Sequence, residues 1–210
     1  MPPSAPDQVK SVQANQVPPI PTPHWGAQPS PAFTVRATTT ISAPPKVILD
    51  TLLETSTWPK WNNFVPRATL KSSPSSSYDT RLRPDTLFTE HVDMFGNGKP
   101  SGVVRMVLLM TALDEVSEDG KVGFRAVWLG KGYPSWALRT ERVHEVYQKD
   151  GEEGTVYDVF ETFSGPVAWA VRVFVGGALV KRFGQWNGEL KAFVEGRDDR
   201  VDEGRGRKMR

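Results

Sequence analysis

Three glutamates sit in stretches whose neighbours alternate between apolar and polar side chains. Glu90 falls in line with Phe88, Val92 and Met94, Glu141 with Val143, and Glu161 with Tyr157, Val159 and Phe163. Residues two apart share one face of an extended chain, so each carboxylate is expected to look into an apolar interior. Desolvation there raises a carboxyl pKa towards neutrality, and the group can then donate or accept a proton. The competing reading is structural: sheet twist or a bulge turns these faces outward, or Arg125, Arg139 or Arg142 pairs with them. The pattern favours a structural or binding role over catalysis.

Other chemistries find less support. His91 lies opposite Glu90, together with Thr89 and Asp93, and is read as exposed; His144 alternates with Arg142 and Val146 and is read the same way. No histidines sit at metal-ligand spacing and the chain has no cysteine, so neither a metal site nor a thiolate nucleophile is expected. There is no Gly-x-Ser-x-Gly elbow. Gly130-Lys131-Gly132 lacks the strand-to-helix setting of a phosphate loop. No cofactor is expected.

The elements that must position the carboxylates are legible in the hydrophobic spacing. Between Ser164 and Val194, Val171, Phe174, Val175, Ala178, Leu179, Phe183, Trp186, Leu190, Phe193 and Val194 recur at three- and four-residue intervals. That predicts one helix ~40 Å long with an apolar stripe. Ser164 is its expected cap, with Pro166 in the first turn. Gly176 and Gly177 interrupt it, either to kink it or to let a strand or ligand come close. Ahead of it, Phe33–Ile41 reads as a first strand. A capped short helix burying Ile48, Leu49, Leu52 and Leu53 follows, then a turn or second short helix at 57–64 and a strand at 65–71. Strands are expected at 86–94, 103–116, 122–129, 139–148 and 155–163, with a hairpin turn at Gly96-Asn97-Gly98 and a serine-rich loop between Lys71 and Pro84. Short turns favour consecutive antiparallel pairing. The expected class is α+β: a curved antiparallel sheet wrapped around a long C-terminal helix, with two short helices after the first strand.

Composition sets the outer limits. With 38% hydrophobic and 24% charged residues, the 210-residue chain suits one globular domain with loose ends. Residues 1–32 hold nine of the 18 prolines and little apolar content, so a disordered arm is expected there. Within it, His24 and Trp25 are read as packing on the domain edge. Residues 196–210 carry six basic and four acidic side chains and read as a flexible, solvated tail. The +2 net charge is then accounted for by the tail, and a neutral middle argues against nucleic acid as partner. No apolar run is long enough for a membrane span and the first residues do not resemble a secretory signal, so an intracellular, cytoplasmic location is expected.

Three segments in order resemble the START-like superfamily, in particular its polyketide cyclase/dehydrase and coenzyme-Q-binding branch. They are Ile41-Ser42-Ala43-Pro44-Pro45-Lys46-Val47, Trp58-Pro59-Lys60-Trp61-Asn62-Asn63-Phe64, and Glu161-Thr162-Phe163-Ser164-Gly165-Pro166 leading into the long helix. The resemblance covers roughly residues 33–195. The long serine-rich loop and the proline-rich arm depart from the family pattern. The resemblance implies a helix-grip fold with an internal hydrophobic cavity, but no single reaction, since its members include lipid carriers, hormone receptors and a minority of enzymes.

On this basis the chain is expected to hold a hydrophobic small molecule or lipid between sheet and helix. The residues expected to touch it are Trp61, Phe64, Phe88, Glu90, Met106, Leu108, Phe124, Trp128, Tyr133, Trp136, Tyr157, Phe174 and Ala178. Glu90, Glu141, Glu161, Arg105 or Arg125 would fix a polar end, and Trp128–Trp136 would form the mouth. A cyclase or dehydratase using one cavity carboxylate (Glu90, Glu141 or Glu161) is the alternative. A third is a lipid chaperone of ubiquinone-like type, touching a membrane transiently through the aromatic loop and basic tail.

Overall fold

The computed structural model describes residues 12–72, 80–96, 103–118 and 120–206. Eight strands form one antiparallel sheet: β1 (Gln13–Val17), β2 (Ala32–Ile41), β3 (Arg67–Ser72), β4 (Leu87–Asp93), β5 (Val103–Glu118), β6 (Lys121–Gly130), β7 (Arg139–Lys149) and β8 (Thr155–Ser164). Their spatial order is β1-β2-β8-β7-β6-β5-β4-β3. Helix α1 (Pro45–Leu53) and a 3-10 helix (Thr55–Lys60) connect β2 to β3. Helices α2 (Pro166–Phe174) and α3 (Gly176–Gly206) follow β8. The α+β architecture is the expected one. The hairpin turn after Gly96, most of the serine-rich loop and the last residues of the tail lie outside the described residues.

Period-two alternation sorts the side chains onto two faces. Phe33, Val35 and Ala37 of β2, Phe88 and Val92 of β4, Leu108 of β5, Ala126 and Trp128 of β6, Val146 of β7, and Tyr157, Val159 and Phe163 of β8 all enter one core. Leu179, Phe183, Trp186, Leu190 and Val194 of α3 meet them there, spaced as one stripe of a helix. α1 adds Ile48, Leu49, Leu52 and Leu53. It has no side-chain cap: Pro44 occupies the cap position, and the Ser42 amide donates instead to Glu195 of α3.

The arm departs from expectation. Residues 13–17 pair with β2 as an edge strand, register Gln13↔Thr38 to Val17↔Thr34. Low hydrophobicity hid this strand, whose stability comes from backbone pairing to an open sheet edge.

The C-terminal rod is two helices. It breaks at Val175 (φ −126°, ψ −7°), just before the glycine pair. The low helix propensity of the glycine pair favours a break here. Gly176 also lies against the end of the Gln16 side chain of β1, where a Cβ would make that side chain shift. The cap of α2 is Gly165 at φ +97°, not Ser164, which closes β8 and donates its hydroxyl to Gln28 Oε1 at 2.6 Å. A Cβ on Gly165 would lie 2.8 Å from the Ala137 carbonyl oxygen, so glycine is required twice over. Beyond Glu195 the helix runs on to Gly206, through the segment expected to be a flexible tail. Without proline to stop it, a formed helix propagates at little cost.

Candidate functional site

The inner face of the sheet carries a buried three-membered ion cluster. Arg142 of β7 donates from Nε to Glu161 Oε2 at 2.9 Å, and from Nη1 to both oxygens of Glu90 at 3.0 and 3.1 Å. All three side chains are buried. Glu161 lies on the neighbouring strand, with Arg142 and Glu161 directly opposite in register. Glu90 lies on β4, three places away, which would be ~14 Å along a flat sheet. Curvature of the sheet and the reach of two long side chains close that gap.

The electrostatics follow from one cation serving two carboxylates out of water. Burial pushes the Glu90 carboxyl up to about 7; Glu161's charge adds to this and Arg142 opposes it. Burial works against the Arg142 guanidinium, but Glu161 and Glu90 outweigh it and hold the group firmly charged. Nη2 of Arg142 and Oε1 of Glu161 have no hydrogen-bond partner among the described residues. Arg142 thus keeps one donor, and Glu161 one acceptor, without a hydrogen-bond partner there.

Both groups line a cavity of about 190 Å³ between sheet and helices. The rest of the wall is Phe64, Val92, Met94, Phe95, Met106, Tyr133, Leu138, Phe163, Val171, Val175 and Leu179. Phe95 and Tyr133 are exposed and form its rim. Arg182 of α3 steadies that rim, donating from Nε to the Met94 carbonyl at 3.0 Å. Asp93 accepts from the Gly96 amide at 2.7 Å.

Further along the same inner face the space is filled. Trp128 lies 4.0 Å from the His144 ring and packs against Trp58, Phe88 and Trp186. His144 Nδ1 and Trp186 Nε1 both meet the Tyr157 hydroxyl, each at 2.8 Å. Burial, then the charge of Arg142, holds His144 well below its usual range and therefore neutral. Burial pushes the Tyr157 phenol up. Among the described residues no group of three or more histidines and carboxylates is placed to hold a metal.

Glu141 does something else. It is fully buried, but on the outer face, where it accepts from the amides of His24 (3.0 and 3.2 Å) and Trp25 (3.2 Å). Trp25 stacks on Arg139, 4.9 Å from its guanidinium carbon. Glu141 thus tethers the arm and does not face the cavity. Arg125 is also on the outer face, paired with Glu145 at 2.8 Å, and Arg105 is exposed, so neither provides a polar end.

The expected ligand-contacting residues divide accordingly. Phe64, Met106 and Tyr133 line the cavity. Trp61, Phe88, Leu108, Trp128 and Tyr157 are consumed in core packing and Phe124 packs at its edge, because the tryptophans fill the interior at that end. Glu90 stands behind Arg142, outside the wall. Trp136 is 75% exposed and Phe174 78%; Ala178 is half-buried; none touches the cavity. The helical wall is Val171, Val175 and Leu179 instead, at an unbroken four-residue spacing, with the Leu179 amide donating to the Val175 carbonyl at 2.9 Å across the break. His144, read as exposed, is buried, because its face is the concave one. Sequence reasoning missed Arg142 as the centre of the site. The signal was its place one residue out of phase with Glu141, on the face that Glu90 and Glu161 share.

An antiparallel sheet gripping a C-terminal helix, with a cavity between them, is a helix-grip fold. No family model matches the chain. The oxopyrrolidines biosynthesis cluster protein O of Penicillium oxalicum is 31% identical over 175 residues, covering 78% of this chain and 87% of that one, and the chain belongs to its family. Two solved structures show the same fold at identities that speak to the fold alone. A hypothetical protein from Helicobacter pylori aligns over 90% of both chains at TM-score 0.55 and 16% identity. The di-domain ARO/CYC StfQ of the steffimycin biosynthetic pathway aligns over 80% of this chain at TM-score 0.54 and 13% identity; the match spans 52% of that two-domain chain.

Proposed function

We propose that the protein binds a small, mainly apolar organic molecule carrying one hydrogen-bond acceptor, with the acceptor on Arg142 Nη2. The observation that carries this is the make-up of the wall, in which Arg142 and Glu161 are the charged side chains on an otherwise apolar surface. An acceptor such as a ketone oxygen would satisfy a donor that otherwise has no partner among the described residues. Size narrows the class. About 190 Å³ is below the ~300–1,000 Å³ of drug-sized pockets and near the ~150 Å³ of a cavity that admits benzene. A ring-sized ligand fits inside, and a longer one would emerge between Phe95 and Tyr133. Burying ~200 Å² of apolar ligand surface contributes on the order of 5 kcal/mol. Calorimetric titration with acetophenone and with ethylbenzene tests the reading. The ketone should bind more tightly than the hydrocarbon, and Val175→Trp, which fills the wall, should abolish both. Equal affinities, or binding that survives Val175→Trp, would contradict it.

A second reading has its own support: an enzyme of cyclase or dehydratase type, in which the free Glu161 Oε1 takes a proton next to the carbonyl held by Arg142. Glu90, pushed up to about 7, would keep a proton within the cluster and so limit the charge that builds there. The relative's name, a biosynthesis cluster protein, fits either reading. Deuterium exchange into the methyl group of acetophenone, followed by proton NMR, separates them. Exchange faster than in buffer that returns to the buffer rate in Glu161→Gln supports catalysis. Exchange at the buffer rate throughout leaves binding alone.

A further inference from the structure

Helix α2 is amphipathic in the wrong sense for a helix facing water. It buries Ala168 and turns Val171 to the cavity, while Val167, Trp169, Val173 and Phe174 stand 40%, 60%, 56% and 78% exposed. The surface continues beyond the helix. The Val167 amide donates to the Ala137 carbonyl at 3.1 Å, joining α2 to the loop that carries Tyr133 (49% exposed) and Trp136. Tyr133 and Phe95 (63% exposed) also border the cavity. One apolar, aromatic-rich surface thus surrounds the mouth. Isolated exposed apolar side chains are ordinary, but a contiguous set of large ones marks a contact surface.

Charge says what the surface contacts. Residues 126–140 and 162–188 contain no aspartate or glutamate. Lys131, Arg172 and Lys181 are exposed there and form no ion pair among the described residues. Two copies of the chain meeting through this face would set these cations against each other. An anionic bilayer meets both requirements: Trp and Tyr settle at the headgroup level, and lysine and arginine beside them are drawn to the negative leaflet. We propose that α2 and the 131–138 loop dock the protein on an anionic phospholipid surface with the cavity mouth towards the bilayer. An apolar molecule dissolved in the membrane would then reach the cavity without crossing water. The docking itself does not require that any ligand be bound.

Co-sedimentation of the full chain with phosphatidylcholine vesicles, and with vesicles that also contain phosphatidylserine, tests this without added ligand. The wild type should bind the anionic vesicles and release them at high salt. Trp169→Ser with Phe174→Ser should lose binding to them about tenfold or more. Lys131→Glu with Arg172→Glu should weaken it by about fivefold or more per site, with no change on pure phosphatidylcholine. All four side chains are exposed, so circular dichroism and urea unfolding should match the wild type. No binding by the wild type, or variants that bind anionic vesicles as it does, would overturn the proposal. A wild-type dimer that Trp169→Ser with Phe174→Ser makes monomeric would also overturn it, since a second copy would then cover the face.

Discussion

Replacing Glu90 by glutamine should change how stability depends on pH, in a direction opposite to that of most paired carboxylates. Glu90 is fully buried and its carboxyl is pushed up to about 7 from an ordinary value of 4.5, by loss of hydration first and then by Glu161. Between those two values the unfolded chain releases a proton that the folded chain keeps. The native state then binds more protons, so stability falls as pH rises through this window and levels off above about 7. The whole interval corresponds to about 3 kcal/mol, and about 2 to 3 kcal/mol of it falls between roughly pH 5 and pH 8. Glutamine has the same shape, can still accept from Arg142 Nη1 and cannot ionise. Another group opposes this slope: His144 is held well below 6.5, so stability is lost as pH drops below 6.5, where the unfolded chain takes up a proton the folded one refuses. Both proteins carry that histidine, and subtracting one curve from the other removes it. Urea unfolding of wild type and Glu90→Gln across this range should show the variant gaining about 2 to 3 kcal/mol relative to wild type from acid to alkaline pH. Parallel curves would mean that Glu90 does not hold its proton in the folded protein, and the electrostatic account of the cluster would fail.

The remaining predictions concern the cluster, the helix start and the arm. Arg142→Met strands two buried carboxylates and should cost about 3–5 kcal/mol in urea unfolding, while adding Glu90→Gln and Glu161→Gln to it should restore most of that loss. Gly165→Ala places a Cβ against the Ala137 carbonyl at a φ of +97° and should cost about 1–3 kcal/mol, lowering the melting temperature by several degrees. Glu141→Gln weakens the hold on the His24 and Trp25 amides, which should exchange hydrogen about tenfold faster or more while the slowest core amides keep their rates.

Alternation made the strands legible, and the helical stripe made the C-terminal rod legible, because both patterns are imposed by a single buried core. The face on which a residue sits is another matter. Alternation groups Glu141 with Val143, and Arg142 with His144, without saying which group lies on the concave side. Here Val143 and Phe160 pack with Ile20 of the arm, so an apolar neighbour did not mean the cavity. The arm was hidden for a related reason: Gln13–Val17 carries little apolar content and forms a strand only because β2 offers an unpaired edge. Helical spacing did not by itself set the width of the buried stripe. Val171, Val175 and Leu179 keep a four-residue spacing across the break, whereas Phe174 and Ala178 sit one residue to the side of it, and Phe174 faces out. Long-range packing also decided how much of the interior stayed open, since Trp58, Trp128 and Trp186 are distant in sequence and converge only in the fold.

A crystal soaked in 4-bromoacetophenone and measured at the bromine absorption edge addresses the cavity most directly. An anomalous peak among Phe64, Val92, Val175 and Leu179, with the ketone oxygen within hydrogen-bonding distance of Arg142 Nη2, is the result expected here. Bromine found only on the protein surface, or a cavity that stays empty at saturating ligand, would contradict the binding role.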